Sequence, residues 1–336
     1  MAALVRKLVK TNEFYLFLVI VVLAVVIQLR SGQFFTPNNL VDLANAMVVP
    51  GIFAVGAFMV LVSGGIDVSF PALASLSVYA TTRILVDNGW EGGVWLPFVL
   101  VIALGAILGA FNGLFTSRFA VPVLIITLGT ASVFSGIMQG VLSSVQIPNL
   151  PPAMTEFGRA TLFVATNPDS GLTSSMPMSF LILVVVLVFA FVLLRYTTFG
   201  RGLYAMGGDE SAAERAGFKV RHIKFWLFVI VGIIASLAGL VRTSMMDSMH
   251  PTNLPGIELM VIAAVVLGGT AITGGSGTLT GAMLGTLLIV IVQNSMILVG
   301  IPTFWQGFSL GVLIIVGTGI SAIQLTRARK RARVLI

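Results

Sequence analysis

Ten apolar runs, most of them long enough to cross a lipid bilayer, constrain what this chain can fold into. A helix needs about 20 mostly apolar residues to span the hydrocarbon core. Only 9% of the residues are charged, whereas a soluble globular domain carries about 25%. The sequence therefore predicts an all-α polytopic membrane protein of about ten transmembrane helices, with residues 1–336 in one domain. The predicted spans are residues 14–29, 40–62, 69–86, 95–117, 121–142, 178–194, 225–241, 256–272, 278–298 and 304–323.

The basic residues are distributed unevenly between the two sides of this ten-span topology. Fifteen of the 19 Lys and Arg residues fall on the side of the termini, and four fall on the other side. Loops rich in Lys and Arg stay in the cytoplasm, so both termini and the polar loop at residues 195–224 are predicted to be cytoplasmic. The formal charge of +7 is explained by this orientation and does not require a nucleic-acid partner. The basic tail at residues 325–336 is expected to contact anionic membrane lipid.

The polar loop at residues 195–224 contains a short predicted helix. Asp209 suits the N-cap position, and Gly217 suits the position that ends a helix. Glu210 in the first turn and Arg215 in the last turn agree with the helix dipole. A helix of two turns is marginal in water by itself, and its alanines allow another surface to approach closely. We therefore interpret residues 207–217 as a docking segment, formed by Gly207, Gly208, Asp209, Glu210, Ser211, Ala212, Ala213, Glu214, Arg215, Ala216 and Gly217.

Two pairs of similar stretches suggest a weak internal repeat. LVSGGIDVS at residues 61–69 resembles VLGGTAITG at residues 266–274, and GAILG at residues 105–109 resembles GAMLG at residues 281–285. Glycine-interrupted apolar segments in corresponding halves are typical of transporters built from related halves. Chance similarity is the alternative in a chain with 36 glycines. The glycines predicted to break helices are Gly64, Gly65, Gly268, Gly269, Gly274 and Gly275.

Three ordered motifs together carry a resemblance to a known family. SGGIDVS at residues 63–69, FGRGLYAMGGDESAAERAGF at residues 199–218 and AAVVLGGTAITGGSGTLTGAMLG at residues 263–285 resemble the ribose-type permeases of bacterial ATP-binding-cassette importers. The sequence departs from that family at Phe70-Pro71-Ala72, where Val-Gly-Ser is usual.

The resemblance implies a multi-pass protein of the bacterial inner membrane that forms the pathway for a sugar or sugar-like solute. It implies that a periplasmic substrate-binding protein delivers the solute and that a separate cytoplasmic ATPase, which binds ATP and Mg²⁺, drives transport. It also implies a second permease chain, either identical or homologous. The docking segment would then be the coupling helix that contacts the ATPase.

Asp67 lies near the end of an apolar run, where an ionised carboxylate costs about 2.5–3.5 kcal/mol on insertion scales. It could line the transport pathway, or it could cap the helix that follows by accepting backbone N–H groups. The glycines before Asp67 and the apolar run after it favour the cap.

Polar and aromatic side chains within the other spans are candidates to line the pathway. Carboxamides can hydrogen-bond a polyhydroxy solute, and aromatic rings can stack on the apolar face of a sugar. Hydrogen bonding between helices is the alternative role. The pathway candidates are Asp67, Asn112, Gln139, Gln293, Asn294, Phe304 and Trp305.

Several chemistries are disfavoured by the residues present. The chain has no cysteine and two histidines, which argues against a thiolate or histidine metal site. The glycine-rich stretch at residues 268–285 lacks the lysine of a phosphate-binding P-loop, so close helix packing and local unwinding are its predicted roles. No cofactor is therefore expected in this chain. The spans contain no Ser-Lys, His-Glu or paired-carboxylate arrangement, which argues against an intramembrane enzyme.

Two alternative functions remain open. An ion-coupled secondary carrier would need several ionisable groups along its spans, and Asp67 is the one residue that approaches this description. Within the importers, branched-chain amino acids are the alternative cargo.

Overall fold

The computed structural model describes residues 12–315 and residue 319. Arg6, Lys7 and Lys10, the end of the last predicted span and the basic tail lie outside the described residues. The helices are α1 (Asn12–Ser31), α2 (Pro37–Val62), α3 (Phe70–Asp87), α4 (Trp95–Arg118), α5 (Val123–Gly140), α6 (Pro152–Arg159), α7 (Phe180–Tyr196), α8 (Thr198–Gly208), α9 (Glu210–Arg215), α10 (Val220–Met246), α11 (Glu258–Leu267), α12 (Leu279–Leu298) and α13 (Thr303–Ile315). The strands are β1 (Thr161–Thr166) and β2 (Thr173–Pro177).

The predicted all-α class is confirmed, and a helix overlaps each predicted span. The described residues contain six helices that are long and apolar enough to cross a membrane: α1, α2, α4, α5, α10 and α12. The pair α7 and α8, bent by 74°, makes a possible seventh, so the count of ten spans is not confirmed. α3 is not apolar enough to be counted among these helices, because serine and threonine interrupt its apolar sequence. Its side chains Ser75, Ser77, Thr81 and Thr82 are all buried.

One predicted span is shorter than expected. The apolar run at residues 256–272 forms only the ten-residue helix α11, which ends at Leu267. Gly269, with φ +93°, adopts the left-handed conformation that ends helices. The glycines therefore stop the helix five residues before the apolar run ends.

The central helix of the bundle is α2. Its most apolar 18-residue window is 83% buried, compared with 22% for α1 and α5. α2 contacts α7, α10, α11 and α12, and α10 packs extensively along α4. The outer helices present exposed apolar side chains instead, as expected for surfaces that face lipid hydrocarbon. The core of the protein therefore surrounds α2 and α10.

Glycines allow α4 and α10 to approach closely. A Cβ atom at Gly109 of α4 would overlap the carbonyl oxygen of Phe228, and a Cβ at Gly105 would lie 2.7 Å from the carbonyl oxygen of Gly232. On α12, Gly281 and Gly285 meet the backbone of α11 in the same way. Small residues let the backbones of membrane helices touch, and the contacts of Gly281 and Gly285 agree with the packing role predicted for the stretch at residues 268–285.

The polar region at residues 143–176, which follows α5, is ordered by contacts with other loops. Its β1–β2 hairpin is antiparallel, and Ile147 exchanges two 2.9 Å backbone hydrogen bonds with Met249. The carboxylate of Asp247 accepts hydrogen bonds of 2.6 Å from both Thr155 and Arg159. These contacts hold α6 and the segment before it over the end of the bundle where α10 finishes.

Candidate functional site

The docking segment forms the short helix that its sequence predicts. Asp209 is the N-cap of α9, and its carboxylate accepts hydrogen bonds of 2.9 Å from the Ala212 N–H and the Ser211 hydroxyl. These bonds, the one from Ala212 foremost, lower the pKa of the Asp209 carboxyl below its ordinary value. At the other end Gly217 has φ +91°, and Phe218 donates to the Ala213 carbonyl. Both predicted ends of the helix are confirmed.

α9 has one face toward the protein and one toward solvent. Ala213 is buried, whereas Ala212 and Ala216 are exposed. The Lys224 ammonium at the start of α10 lies 2.6 Å from the Glu210 carboxylate, which fixes the helix against the bundle. The exposed alanines, four residues apart, lie on one face of the helix. A flat, small-residue surface of this kind allows a second protein to come close.

The base of the docking segment contacts the rest of the protein through backbone atoms, in a cluster that we call the glycine junction. This junction consists of Gly64, Gly207, Gly274, Gly275 and Val62. The Gly275 N–H donates a 2.9 Å hydrogen bond to the Val62 carbonyl. A Cβ at Gly207 would overlap that same carbonyl oxygen, and a Cβ at Gly274 would overlap the backbone of Gly64. The junction thus joins the end of α8 to the end of α2 and to the loop before α12.

The two helix breaks of the proposed repeat share one capping geometry. Gly64 and Gly269 have φ +84° and +93°, and each donates to the carbonyl three residues earlier. The next residues, Gly65 and Thr270, each donate to the carbonyl five residues earlier, which completes a Schellman motif in both places. The repeated GAxLG stretches contact different partners, since Gly109 meets α10 and Gly285 meets α11. The repeat itself stays a prediction.

Asp67 holds the turn that leads into α3. Its carboxylate accepts 2.7 Å hydrogen bonds from the N–H and the hydroxyl of Ser69, and Asn112 of α4 donates to the Ser69 hydroxyl at 2.8 Å. All three residues are buried. Asp67 thus orders the turn before α3, whereas the N-cap of α3 is Ser69. This arrangement also places Asn112 in a structural network inside the bundle.

A polar cavity of about 850 Å³ lies at the opposite end of the bundle. Its walls come from the start of α2, the end of α10, the loop that leads into α11, and from α11, α12 and α13. Asn39, Asp42 and Asn45 are spaced by three residues, so they follow one face of α2. The polar residues that line the polar cavity are Asn39, Asp42, Asn45, Arg242, Asn253, Gln293, Asn294 and Gln306.

The predicted pathway residues divide between this cavity and other places. Gln293 and Asn294 line it, and the Gln306 side chain donates to the Gln293 carbonyl at 3.1 Å. Gln139 is exposed on α5, and Phe304 and Trp305 are 77% and 45% exposed on α13. These three residues do not line the polar cavity.

The sequence interpretation missed most of the polar cavity. Asp42 and Arg242 lie within α2 and α10 and line the polar cavity. The expectation that Asp67 is the one ionisable residue in or near a span is therefore wrong. A signal was present in the sequence, because an aspartate near the start of an apolar span is expensive and marks a functional site by default. Asn39 and Asn45, each three residues from Asp42, extend a polar stripe along α2.

No metal site is evident in the part of the chain that the structure describes. Residues 12–315 contain no group of three or more His, Asp or Glu side chains that could hold a metal ion.

The polar cavity offers hydrogen-bond donors and acceptors, and the docking segment offers a contact surface. The two features lie at opposite ends of α2.

Comparisons with known proteins show what the chain is similar to. A family model described as branched-chain amino acid transport system, permease component, matches residues 39–317. The ribose import permease protein RbsC of Bacillus subtilis is 33% identical over 306 residues, which cover 89% of both chains. That of Escherichia coli K12 is 33% identical over 297 residues, 88% of this chain and 89% of the relative. The autoinducer 2 import system permease protein LsrC of an Enterobacter species is 29% identical over 310 residues, 92% of this chain and 86% of the relative. The resemblance to ribose-type permeases is thereby confirmed.

Proposed function

The chain belongs to the family of branched-chain amino acid transport system permease components, and on that premise we propose that it forms the translocation pathway of an ATP-binding-cassette importer for a sugar or sugar-like solute. The names of the ribose and autoinducer 2 import permeases support this cargo class. ATP and Mg²⁺ bind a separate cytoplasmic ATPase, and a periplasmic binding protein delivers the solute. A second permease chain, identical or homologous, completes the membrane unit. No contact within the described residues favours an ion-coupled carrier or an amino-acid cargo.

The proposed orientation puts the docking segment in the cytoplasm and the polar cavity at the periplasmic end. The uneven distribution of Lys and Arg supports it, and so does the length of α2. Asp42 and Val62 are separated by 20 residues of one helix, which corresponds to about 30 Å at 1.5 Å per residue. That distance is about the thickness of the hydrocarbon core. α2 therefore connects the two faces of the membrane.

The glycine junction is the observation that carries the proposed coupling. The base of the docking segment touches the end of α2 through backbone atoms, with no flexible side chain between them. A displacement of α9 by the ATPase is therefore transmitted to the end of α2, a helix with Pro50 in its interior, and the far end of α2 lines the polar cavity. Alternating access in transporters proceeds by rigid-body movement around a fixed site.

Substitutions on the exposed face of α9 test the docking role. Ala212→Trp and Ala216→Trp add bulk to exposed positions without disturbing the core. In vesicles reconstituted with the partner ATPase, both variants are expected to lose ATPase binding and at least about tenfold in solute uptake, at unchanged abundance in the membrane. Ala120→Trp, in the exposed connection between α4 and α5, is the control for a bulky residue on the same predicted side. Normal ATPase binding by both α9 variants would overturn the proposal.

A further inference from the structure

We propose that the polar cavity is a binding site for the transported solute, and that it selects neutral polyhydroxylated molecules through Asp42, Asn45, Arg242 and Asn294. This inference rests on the proposed function and names the residues and the substrate chemistry within it. Each of these four side chains lines the polar cavity. They come from three different helices, α2, α10 and α12, so a solute between them contacts several walls at once.

The four side chains lack protein partners. The ion pairs among the described residues join Arg83 to Asp87, Arg159 to Asp247 and Lys224 to Glu210, so Asp42 and Arg242 belong to none of them. Within residues 12–315, the side chains of Asn45 and Asn294 form no hydrogen bond either. Asp42 and Arg242 are exposed and Asn45 and Asn294 are half-buried, so their hydrogen-bonding groups are open to water or to a solute in the polar cavity.

The chemistry of these groups matches the hydroxyls of a sugar. A carboxylate only accepts hydrogen bonds, a guanidinium only donates them, and a carboxamide does both. A sugar hydroxyl both donates and accepts, so it can satisfy all three kinds of group. The bonds to Asp42 and Arg242 are charge-assisted and are therefore the strongest available. The polar cavity, at about 850 Å³, falls within the range of about 300–1,000 Å³ found for small-molecule sites.

Charge and polarity argue against other solutes. The formal charges of Asp42 and Arg242 cancel, so the polar cavity offers no net attraction to an anion or a cation. A branched-chain amino acid could pair its two charges with these residues, but its aliphatic side chain would leave Asn45 and Asn294 without partners. A site built from hydrogen-bonding groups rejects a ligand that cannot satisfy them.

Cysteine protection tests the inference directly, because the chain contains no cysteine. Ala46→Cys places a single thiol at the wall of the polar cavity without removing any of the four proposed binding groups, and Ser170→Cys places one on the exposed connection between β1 and β2. The purified full-length permease in lipid nanodiscs is labelled with a maleimide in the presence of D-ribose, gluconate or L-leucine. We expect D-ribose to slow labelling at position 46 and to leave labelling at position 170 unchanged. Gluconate and leucine are expected to protect neither position.

A second variant tests the charge balance. Asp42→Asn, combined with Ala46→Cys, removes the carboxylate and leaves Arg242 unmatched. We expect D-ribose to protect about tenfold less well, and gluconate, a polyhydroxylated anion, to protect where it did not before. Unchanged labelling of Ser170→Cys in the Asp42→Asn background shows that the fold is intact.

The outcomes separate this inference from the proposed function. Protection by leucine without protection by ribose would show a site for zwitterions and overturn the inference. Equal protection by ribose and gluconate in the parent chain would overturn the charge argument. No protection by any of the three probes, together with normal uptake in reconstituted vesicles, would contradict a solute site in the polar cavity and leave the importer function standing.

Discussion

The N–H of Gly275 donates a 2.9 Å hydrogen bond to the carbonyl oxygen of Val62, the last residue of α2. Gly207 lies against the same carbonyl oxygen so closely that a Cβ atom would overlap it. One acceptor at the end of the central helix therefore meets both the loop before α12 and the helix that precedes the docking segment. Because the contacts are backbone to backbone, they tolerate little change in distance.

Neighbouring glycines give a matched test of this junction. Gly207→Ala places a methyl group onto the Val62 carbonyl, whereas Gly208→Ala meets nothing within 4 Å. Overpacking of this kind costs about 1–3 kcal/mol, so we expect the first variant to lose about tenfold or more in uptake and the second to transport normally. Uptake in reconstituted vesicles, normalised to the amount of permease, is the measurement. Equal uptake by both variants would show that the junction plays no part in coupling.

The N-cap of α9 is expected to be stable across the physiological pH range. The pKa of Asp209 is lowered in the folded state, so its stabilising effect is complete above the unfolded pKa of about 3.9 and is lost as the pH falls through the lower folded value. Coupling should therefore show no dependence on Asp209 titration between about pH 5 and pH 8. Asp209→Ala should increase amide hydrogen exchange in α9 at neutral pH, whereas Asp209→Asn, an equally good N-cap, should not. Protection factors of the α9 amides that fall between pH 8 and pH 5 in the parent chain, after correction for the intrinsic pH dependence of exchange, would contradict this account.

The proposed orientation is open to a direct labelling experiment. Ala212→Cys lies on the exposed face of α9 and Ser170→Cys on the exposed β1–β2 connection, so each carries one accessible thiol. In intact spheroplasts an impermeant maleimide is expected to label position 170 at once, and position 212 only after the membrane is opened. The reverse pattern would invert the topology.

Close packing of α4 on α10 predicts that alanine substitutions at two glycines in neighbouring helices differ in their effect on stability. Gly109→Ala would force a methyl group onto the Phe228 carbonyl, whereas Gly129→Ala in α5 meets nothing within 4 Å. The first change should destabilise the bundle by about 1–3 kcal/mol. The second should be neutral or slightly stabilising, because alanine favours a helix more than glycine does. Thermal aggregation temperatures in detergent distinguish the two, and a Gly109→Ala protein as stable as the parent would refute the packing argument.

Local signals in the sequence predict the short helix α9 and its two ends well. Asp209 and Gly217 fix the two ends of α9 through bonds to residues no more than four positions away, and such interactions depend little on the rest of the fold. The break at Gly64 was predicted for the same reason. The span predicted at residues 256–272 is too long because Gly268 and Gly269 end the helix inside the apolar run.

The tertiary arrangement of the helices, by contrast, determines which polar side chains line the same cavity. Gln293 and Asn294 were predicted to line a pathway, but Asp42 and Arg242 come from helices whose relative rotation no local pattern reveals. Gln139 and Trp305 are of suitable types and yet face outward. Residue type shows what a side chain can bind, and only the packing of α2, α10 and α12 shows which side chains share a cavity.

The two ends of α2 lead to the last prediction. Asn45 lines the polar cavity, and Val62, 17 residues later, accepts the hydrogen bond of the glycine junction. If α2 moves as a rigid body when the ATPase binds ATP, the accessibility of a thiol at position 45 must change with the nucleotide state. In the reconstituted complex, we expect the labelling rate of the Asn45→Cys thiol to change several-fold when ATP and vanadate trap the ATPase. The rate falls if the trapped state closes the polar cavity and rises if that state opens it. Adding Gly208→Ala should preserve this response and adding Gly207→Ala should abolish it, at unchanged ATPase binding. A nucleotide response that survives Gly207→Ala would mean that motion reaches the polar cavity by another route, most directly through α10, which the Glu210 and Lys224 ion pair joins to α9.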